Sequence, residues 1–219
     1  MSKFNTNSNV YTIIYATVIV VIVALLLAVV SSALRPKQQA NVELDRKKQV
    51  LSSLNIDIKQ VNDVDQMYAE VISEQEIDGK QVFVAKTDDG TKYIIPMTGA
   101  GLWGAIWGYI ALDEDRNTVY GTFFNHDSET PGLGGEITTR GFQTRFNGKH
   151  IKAADKYQME IVKGEAAGEQ VQAISGATIT SKGVETMINT TLAEYTEFLS
   201  GAPAETTEQV EPIEEEAQQ

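Results

Sequence analysis

The sequence predicts an α+β protein, with a single N-terminal transmembrane helix followed by one domain of antiparallel strands and flanking helices. Three observations carry this expectation. Residues 10–34 form 25 positions without a charge, made largely of Ile, Val, Leu and Ala. From residue 66 onward, short runs rich in β-branched and aromatic residues alternate with turn signals, as hairpins require. Finally, Val184, Met187, Ile188, Leu192, Tyr195, Phe198 and Leu199 fall at helical spacing, giving one apolar stripe that another layer must cover.

At ~1.5 Å per residue, 25 helical residues span ~37 Å, enough to cross a hydrocarbon core of ~30 Å. Tyr11 and Tyr15 suit its interfacial belt. A cleaved leader is the rival reading, because Ser31 and Ala33 could form a small-residue cleavage site. The apolar run, however, is longer than a ~7–15-residue signal core, which favours a retained anchor. Lys3 precedes the span, whereas Arg35, Lys37, Arg46, Lys47 and Lys48 follow it; read literally, this bias keeps the following domain in the cytoplasm.

The expected organisation is a short N-terminal segment 1–9, the transmembrane helix 10–34, a juxtamembrane helix and linker 35–65, the main domain 66–200 and an acidic disordered tail 201–219. Within 35–65, Leu44, Val50, Leu51 and Leu54 suggest a short helix, and 60–66 reads as linker or turn. Strands are expected at 68–72, 81–86 and 92–95, the last two joined across Asp88-Asp89-Gly90. A second hairpin, 107–112 with 118–124, turns through 113–117, and a further strand is expected at 158–162. The helix is expected over 181–199.

Composition narrows the chemistry. There is no Cys, and His126 and His150 are the two histidines, so a protein-ligated iron–sulfur cluster, a thiol nucleophile and a disulfide framework are excluded. The net charge of −12 argues against nucleic-acid partners. Glu205, Glu208, Glu211, Glu214, Glu215 and Glu216 place half of that charge in the tail. No metal site and no Ser-His-Asp signature is evident, so chemistry falls to a cofactor.

Three stretches could receive one. Ser175-Gly176-Ala177-Thr178 precedes the last helix, where unpaired N–H groups and the positive end of the dipole favour a phosphate. Small residues would admit a bulky ligand and Thr178 would present a hydroxyl, although composition alone also fits a hydroxyl-rich turn. Glu129-Thr130-Pro131-Gly132-Leu133-Gly134-Gly135-Glu136 is a loop built for unusual backbone angles, and it matches neither a Walker loop nor GxGxxG. Gly101-Leu102-Trp103-Gly104-Ala105-Ile106-Trp107-Gly108-Tyr109 could expose an indole for stacking on a planar ring, or could be a hairpin core.

In this order, and behind such an anchor, the three stretches resemble the C subunit of the Na+-translocating NADH:quinone reductase, over roughly residues 8–199. The resemblance implies that the domain 66–200 binds FMN. It implies that Thr178 carries FMN covalently through a phosphoester, placed by a flavin transferase that consumes FAD. It further implies that Ser175, Gly176, Ala177 and Thr180 support the phosphate while Trp103, Glu129, Thr130, Gly132, Leu133 and Gly134 border the ring. The role implied is electron shuttling between redox subunits of a membrane oxidoreductase complex acting on NADH and a quinone, with no independent active site in this chain. The other subunits, the transferase and membrane lipid would be its partners. The domain would lie on the periplasmic, extracytoplasmic side of the inner membrane, against the literal charge bias. The family pattern has Asp three residues before the Ser, where this chain has Gln172. The alternatives are the flavinylated G subunit of the related ferredoxin:NAD+ oxidoreductase complex, or a tethered binding module without a redox role.

Overall fold

In the computed structural model, which describes residues 9–77, 79–153, 156–201 and 206–207, helix α1 runs from Asn9 to Ser53. Residues 9–43 are exposed all round, and this helix is long and apolar enough to cross a membrane. Pro36 lies inside it and offers no N–H to the carbonyl of Ser32. The chain separates into two compact units, one ending at Asp45 and the other beginning at Arg46.

The second unit is built on a sheet. After a 3-10 turn at Ile58–Gln60 and helix α2 (Val64–Val71) come β1 (Ile72–Ile77), β2 (Lys80–Thr87), β3 (Gly90–Ala100), β4 (Ala105–Leu112) and β5 (Val119–His126). With β10 (Thr206–Thr207) they form an antiparallel sheet in the order β10-β1-β2-β3-β4-β5. A 3-10 segment at Gly134–Thr138 and helix α3 (Arg140–Gln143) follow, then the short pairs β6 (Lys152–Ala153) with β7 (Lys156–Tyr157) and β8 (Ile161–Val162) with β9 (Val171–Gln172). Helices α4 (Thr178–Glu194) and α5 (Thr196–Leu199) come next. The α+β architecture is the one expected.

Both faces of the sheet are covered, as the alternation of side chains along β3 requires. Ile94 packs with Val50, Leu51, Leu54, Tyr68 and Phe83 on one face. Ile95 and Met97 point the other way, into a larger core with Ile110, Phe124, Val184, Met187, Ile188 and Leu192. Helix α4 lies flush on the end of β3 because glycines meet it there. A Cβ on Gly99 would stand 2.7 Å from Met187 Cβ, and one on Gly183 would stand 2.5 Å from the Ala100 carbonyl oxygen. This close seat brings the start of α4 beside the tip of the β3–β4 hairpin.

Three expectations about elements are corrected. Residues 68–71 close helix α2 instead of opening a strand, because Asp63 caps that helix by accepting the Gln66 N–H (3.0 Å), and Asp65 sits in its first turn. Of 158–162, Ile161 and Val162 alone are strand; the Met159 N–H and carbonyl bond to the Asn189 side chain at 2.7 and 3.0 Å, not to a neighbouring strand. The last helix begins at Thr178, three residues before the expected start, and breaks at Tyr195. Of the tail 201–219, Gly201 and Thr206–Thr207 are described, the latter paired with Glu76 and Ile77; the other tail residues, like 1–8 of the N-terminal segment, lie outside the described residues.

Candidate functional site

Helix α4 is entered through a tight turn. The Ala177 N–H donates to the Ile174 carbonyl (3.1 Å), and Gly176 takes φ +78°, which side-chain-bearing residues rarely adopt. Ser181 fixes the turn from within the helix, its Oγ accepting the Ile174 N–H at 3.0 Å and its own N–H donating to the Ala177 carbonyl at 3.0 Å. Ala177, at the cap, supplies no side-chain acceptor, so no side chain caps the first turn of α4. Ser175, Gly176 and Thr178 are exposed, and the Thr178 hydroxyl stands at this uncapped helix start.

The Glu129 carboxylate ties this start to the other two stretches. Oε2 accepts the Thr180 hydroxyl at 2.7 Å and Oε1 accepts the Trp103 N–H at 2.9 Å. The Glu129 N–H donates in turn to His126 Nδ1 (3.1 Å). The carboxylate fits because two glycines leave room: a Cβ on Gly101 would lie 2.3 Å from Oε1, and one on Gly134 2.2 Å from Oε2. Burial pushes this carboxyl up, but the Trp103 N–H, the Thr180 hydroxyl, the Leu102 N–H and the nearby His126 outweigh it. Together they hold the group below the usual glutamate range, so it is ionised at neutral pH.

Above this buried frame lies an apolar rim. Beyond α1, the exposed large apolar side chains among the described residues are Leu102 (45%), Trp103 (68%), Leu133 (43%) and Ile179 (61%). Leu102, Trp103 and Leu133 belong to the three stretches, and Ile179 directly follows the last of them. Leu102 and Trp103 sit at the tip of the β3–β4 hairpin, closed by the Gly101 N–H to the Gly104 carbonyl (2.8 Å). Leu133 lies against the turn that enters α4, its Cδ2 3.0 Å from where a Gly176 Cβ would be. Exposed apolar side chains on neighbouring stretches are what a ligand or partner surface requires.

The structure therefore brings together the residues expected to form the site, and divides them. Trp103, Thr130, Gly132, Leu133, Ser175, Gly176 and Thr178 are at the surface, whereas Glu129, Gly134, Ala177 and Thr180 lie beneath it. The Thr130 carbonyl accepts the Leu133 and Gly135 N–H groups (3.1 and 3.0 Å) and so shapes the glycine loop. Trp107, in contrast, belongs to strand β4, where its indole N–H donates to Gln49 Oε1 (3.1 Å). Gln172 is exposed on β9, and its carbonyl accepts Arg145 Nη1 at 2.8 Å. Leu102 and Ile179 are rim residues that the sequence reasoning missed. For Ile179 a signal existed, an apolar residue among Thr178, Thr180, Ser181 and Lys182 that lies off the Val184–Met187–Ile188 stripe.

The sequence profile described as an FMN-binding domain matches residues 101–193, a range that holds all three stretches. The C subunit of the Na+-translocating NADH-quinone reductase of Haemophilus ducreyi is 28% identical, over 84% of this chain and 90% of its own. The corresponding C subunit of Neisseria meningitidis serogroup A is 39% identical over 48% of this chain, and the matched part spans less than half of that relative, 43%. The crystal structure of the C subunit from Parabacteroides distasonis is 38% identical and superposes with a TM-score of 0.70, covering 76% of this chain and 97% of that one. The chain belongs to the family of C subunits of the Na+-translocating NADH-quinone reductase.

Proposed function

We propose that this chain is a membrane-anchored electron-transfer subunit of an Na+-translocating NADH:quinone reductase and carries FMN covalently on Thr178. The observation that carries the reading is the coincidence of an exposed Thr178 hydroxyl, at a helix start without a side-chain cap, with the apolar rim of Leu102, Trp103, Leu133 and Ile179. These residues fit a phosphorylated flavin. The free N–H groups of the first turn and the positive end of α4 suit the phosphate. Gly176 adds no side chain of its own beside Leu133, and the rim offers apolar faces for a planar ring.

Attachment balances as a phosphoryl transfer. Thr178 Oγ would form the new O–P bond to the FMN phosphorus of FAD as the pyrophosphate P–O bond breaks and AMP leaves, and the hydroxyl proton would pass to a base of the transferase or to water. When bound, the flavin supplies the electron chemistry, and the protein supplies position and electrostatics. The chain's own residues hold the acceptor oxygen at the surface, present Trp103 and Leu133 beside it, and keep the glycine loop in place through the Thr130 carbonyl. A flavin held there would exchange electrons with the other subunits at this exposed edge, and α1 would hold the domain at the membrane.

A denaturing gel viewed under ultraviolet light tests the reading. Protein co-expressed with its flavin transferase is expected to give a fluorescent band that disappears in Thr178→Ala. A colourless wild-type band, or an undiminished band in the variant, overturns it.

A further inference from the structure

We propose that Glu129 is a positioning residue and not a flavin contact. Bridging the Trp103 N–H and the Thr180 hydroxyl, it locks the acceptor turn and the hairpin tip into one frame before any flavin is attached. The proposal rests on the assignment of Thr178 as the acceptor.

Each oxygen of the carboxylate serves a different stretch of chain, 26 residues away through Trp103 and 51 residues away through Thr180. Glu129 is only 4% exposed and Thr180 only 1%, so neither group presents its polar atoms to a ligand at the surface. Backbone stands close to the carboxylate on both sides, since a Cβ on Gly101 would lie 2.3 Å from Oε1 and one on Gly134 2.2 Å from Oε2. Thr180 stands two residues after Thr178 in the same helical turn, so a displacement at Glu129 passes directly to the acceptor. The far side of that turn is held separately, by Ser181 on the Ile174 N–H. The ionisable neighbour facing Glu129 is His126 from β5; α4 contributes the neutral Thr180 hydroxyl, and the hairpin tip contributes backbone N–H groups.

The test uses the full-length chain in nanodiscs, produced without its flavin transferase. In Glu129→Ala the Trp103 amide is expected to exchange about tenfold faster with solvent while the Ile94 amide stays unchanged. Thr180→Val keeps the side-chain shape, and is expected to speed Trp103 exchange to a smaller degree. With purified transferase and FAD, both variants are expected to lose about tenfold in kcat for flavinylation with an unchanged KM for the acceptor protein, and the double variant to be no slower than the slower single one. Glu129→Gln can still accept from Trp103 and donate to Thr180, and is expected to recover most of the rate. Wild-type exchange at Trp103 in Glu129→Ala and Thr180→Val, or full additivity of the two variants in kcat, overturns the proposal. Should Glu129→Ala not fold, Thr180→Val and Glu129→Gln carry the same comparison. Failure of the wild-type chain to accept flavin removes the acceptor assignment instead, while the exchange measurement still decides whether Glu129 is the bridge.

Discussion

At Gly134 the space around the buried carboxylate can be probed by a single methyl group. A Cβ there would stand 2.2 Å from Glu129 Oε2 and 2.6 Å from Thr180 Oγ1, so Gly134→Ala must displace one partner of the bridge. Overpacking of this kind costs about 1–3 kcal/mol. Gly132, in the same loop, has φ +75° but open space where a methyl would stand, so Gly132→Ala carries only backbone strain, about 1–2 kcal/mol. Thermal unfolding of both variants is expected to show Gly134→Ala at least as destabilised as Gly132→Ala. Only Gly134→Ala is expected to speed exchange at the Trp103 amide; equal exchange in the two would mean that the slot is not tight. At this scale the sequence was legible where chemistry and company coincide. Thr178 stands out because a hydroxyl, small residues and a helix start are contiguous. The work of Glu129 was hidden because its two partners lie far along the chain, and a glycine loop gives no sign of which side chain it makes room for.

Between elements, Glu74 on β1 gathers three neighbours. It accepts Arg46 Nη2 from the end of α1 (2.8 Å), the Tyr68 hydroxyl from α2 (2.8 Å) and Gln81 Nε2 from β2 (3.1 Å). Burial pushes its carboxyl up, but the bonds from Arg46, Tyr68 and Gln81 and the Arg46 charge prevail and hold it below the usual value. A carboxyl whose folded pKa is depressed stabilises the fold above its unfolded pKa, and that contribution fades as pH falls through the folded value. Wild-type Tm is therefore expected to fall more between pH 6 and the acid limit than that of Glu74→Gln. Asp115, Glu129 and Glu169 are depressed as well and act in the same direction in both proteins, so the difference between the two curves isolates Glu74. Parallel curves would mean that the cluster adds nothing. The hairpins and the last helix were legible because their periodicities, two and 3.6, are written in adjacent residues. Helix α2 was not, because Tyr68-Ala69-Glu70-Val71-Ile72 fits either period and the deciding signal was the cap at Asp63. The shortness of β8 depends on Asn189, a partner 30 residues from Met159 that local pattern cannot reveal.

At the scale of the whole molecule, the charges flanking the span bear on the side of the membrane on which the domain works. The cations after the span outnumber Lys3 before it, which by simple count would hold the domain in the cytoplasm. Two of those cations are engaged within the folded domain, Arg46 with Glu74 and Lys47 with Asp65 at 2.7 Å, so their presence has a structural reason apart from orientation. Lys47 also lies 5.7 Å from the centre of the Tyr68 ring. The charge rule weakens, moreover, when a long domain follows the span, since such domains cross largely regardless of their flanks. On the function proposed above, the domain is expected outside the cytoplasm. Protease added to intact spheroplasts should digest the domain and leave a fragment containing the span, whereas a cytoplasmic marker protein should survive. Because α1 continues as helix to Ser53, the fragment is expected to end near or beyond the last exposed turns of that helix. Protection of the domain until the membrane is permeabilised would place the flavin on the cytoplasmic side and make the cations after residue 34 the determinant of topology after all.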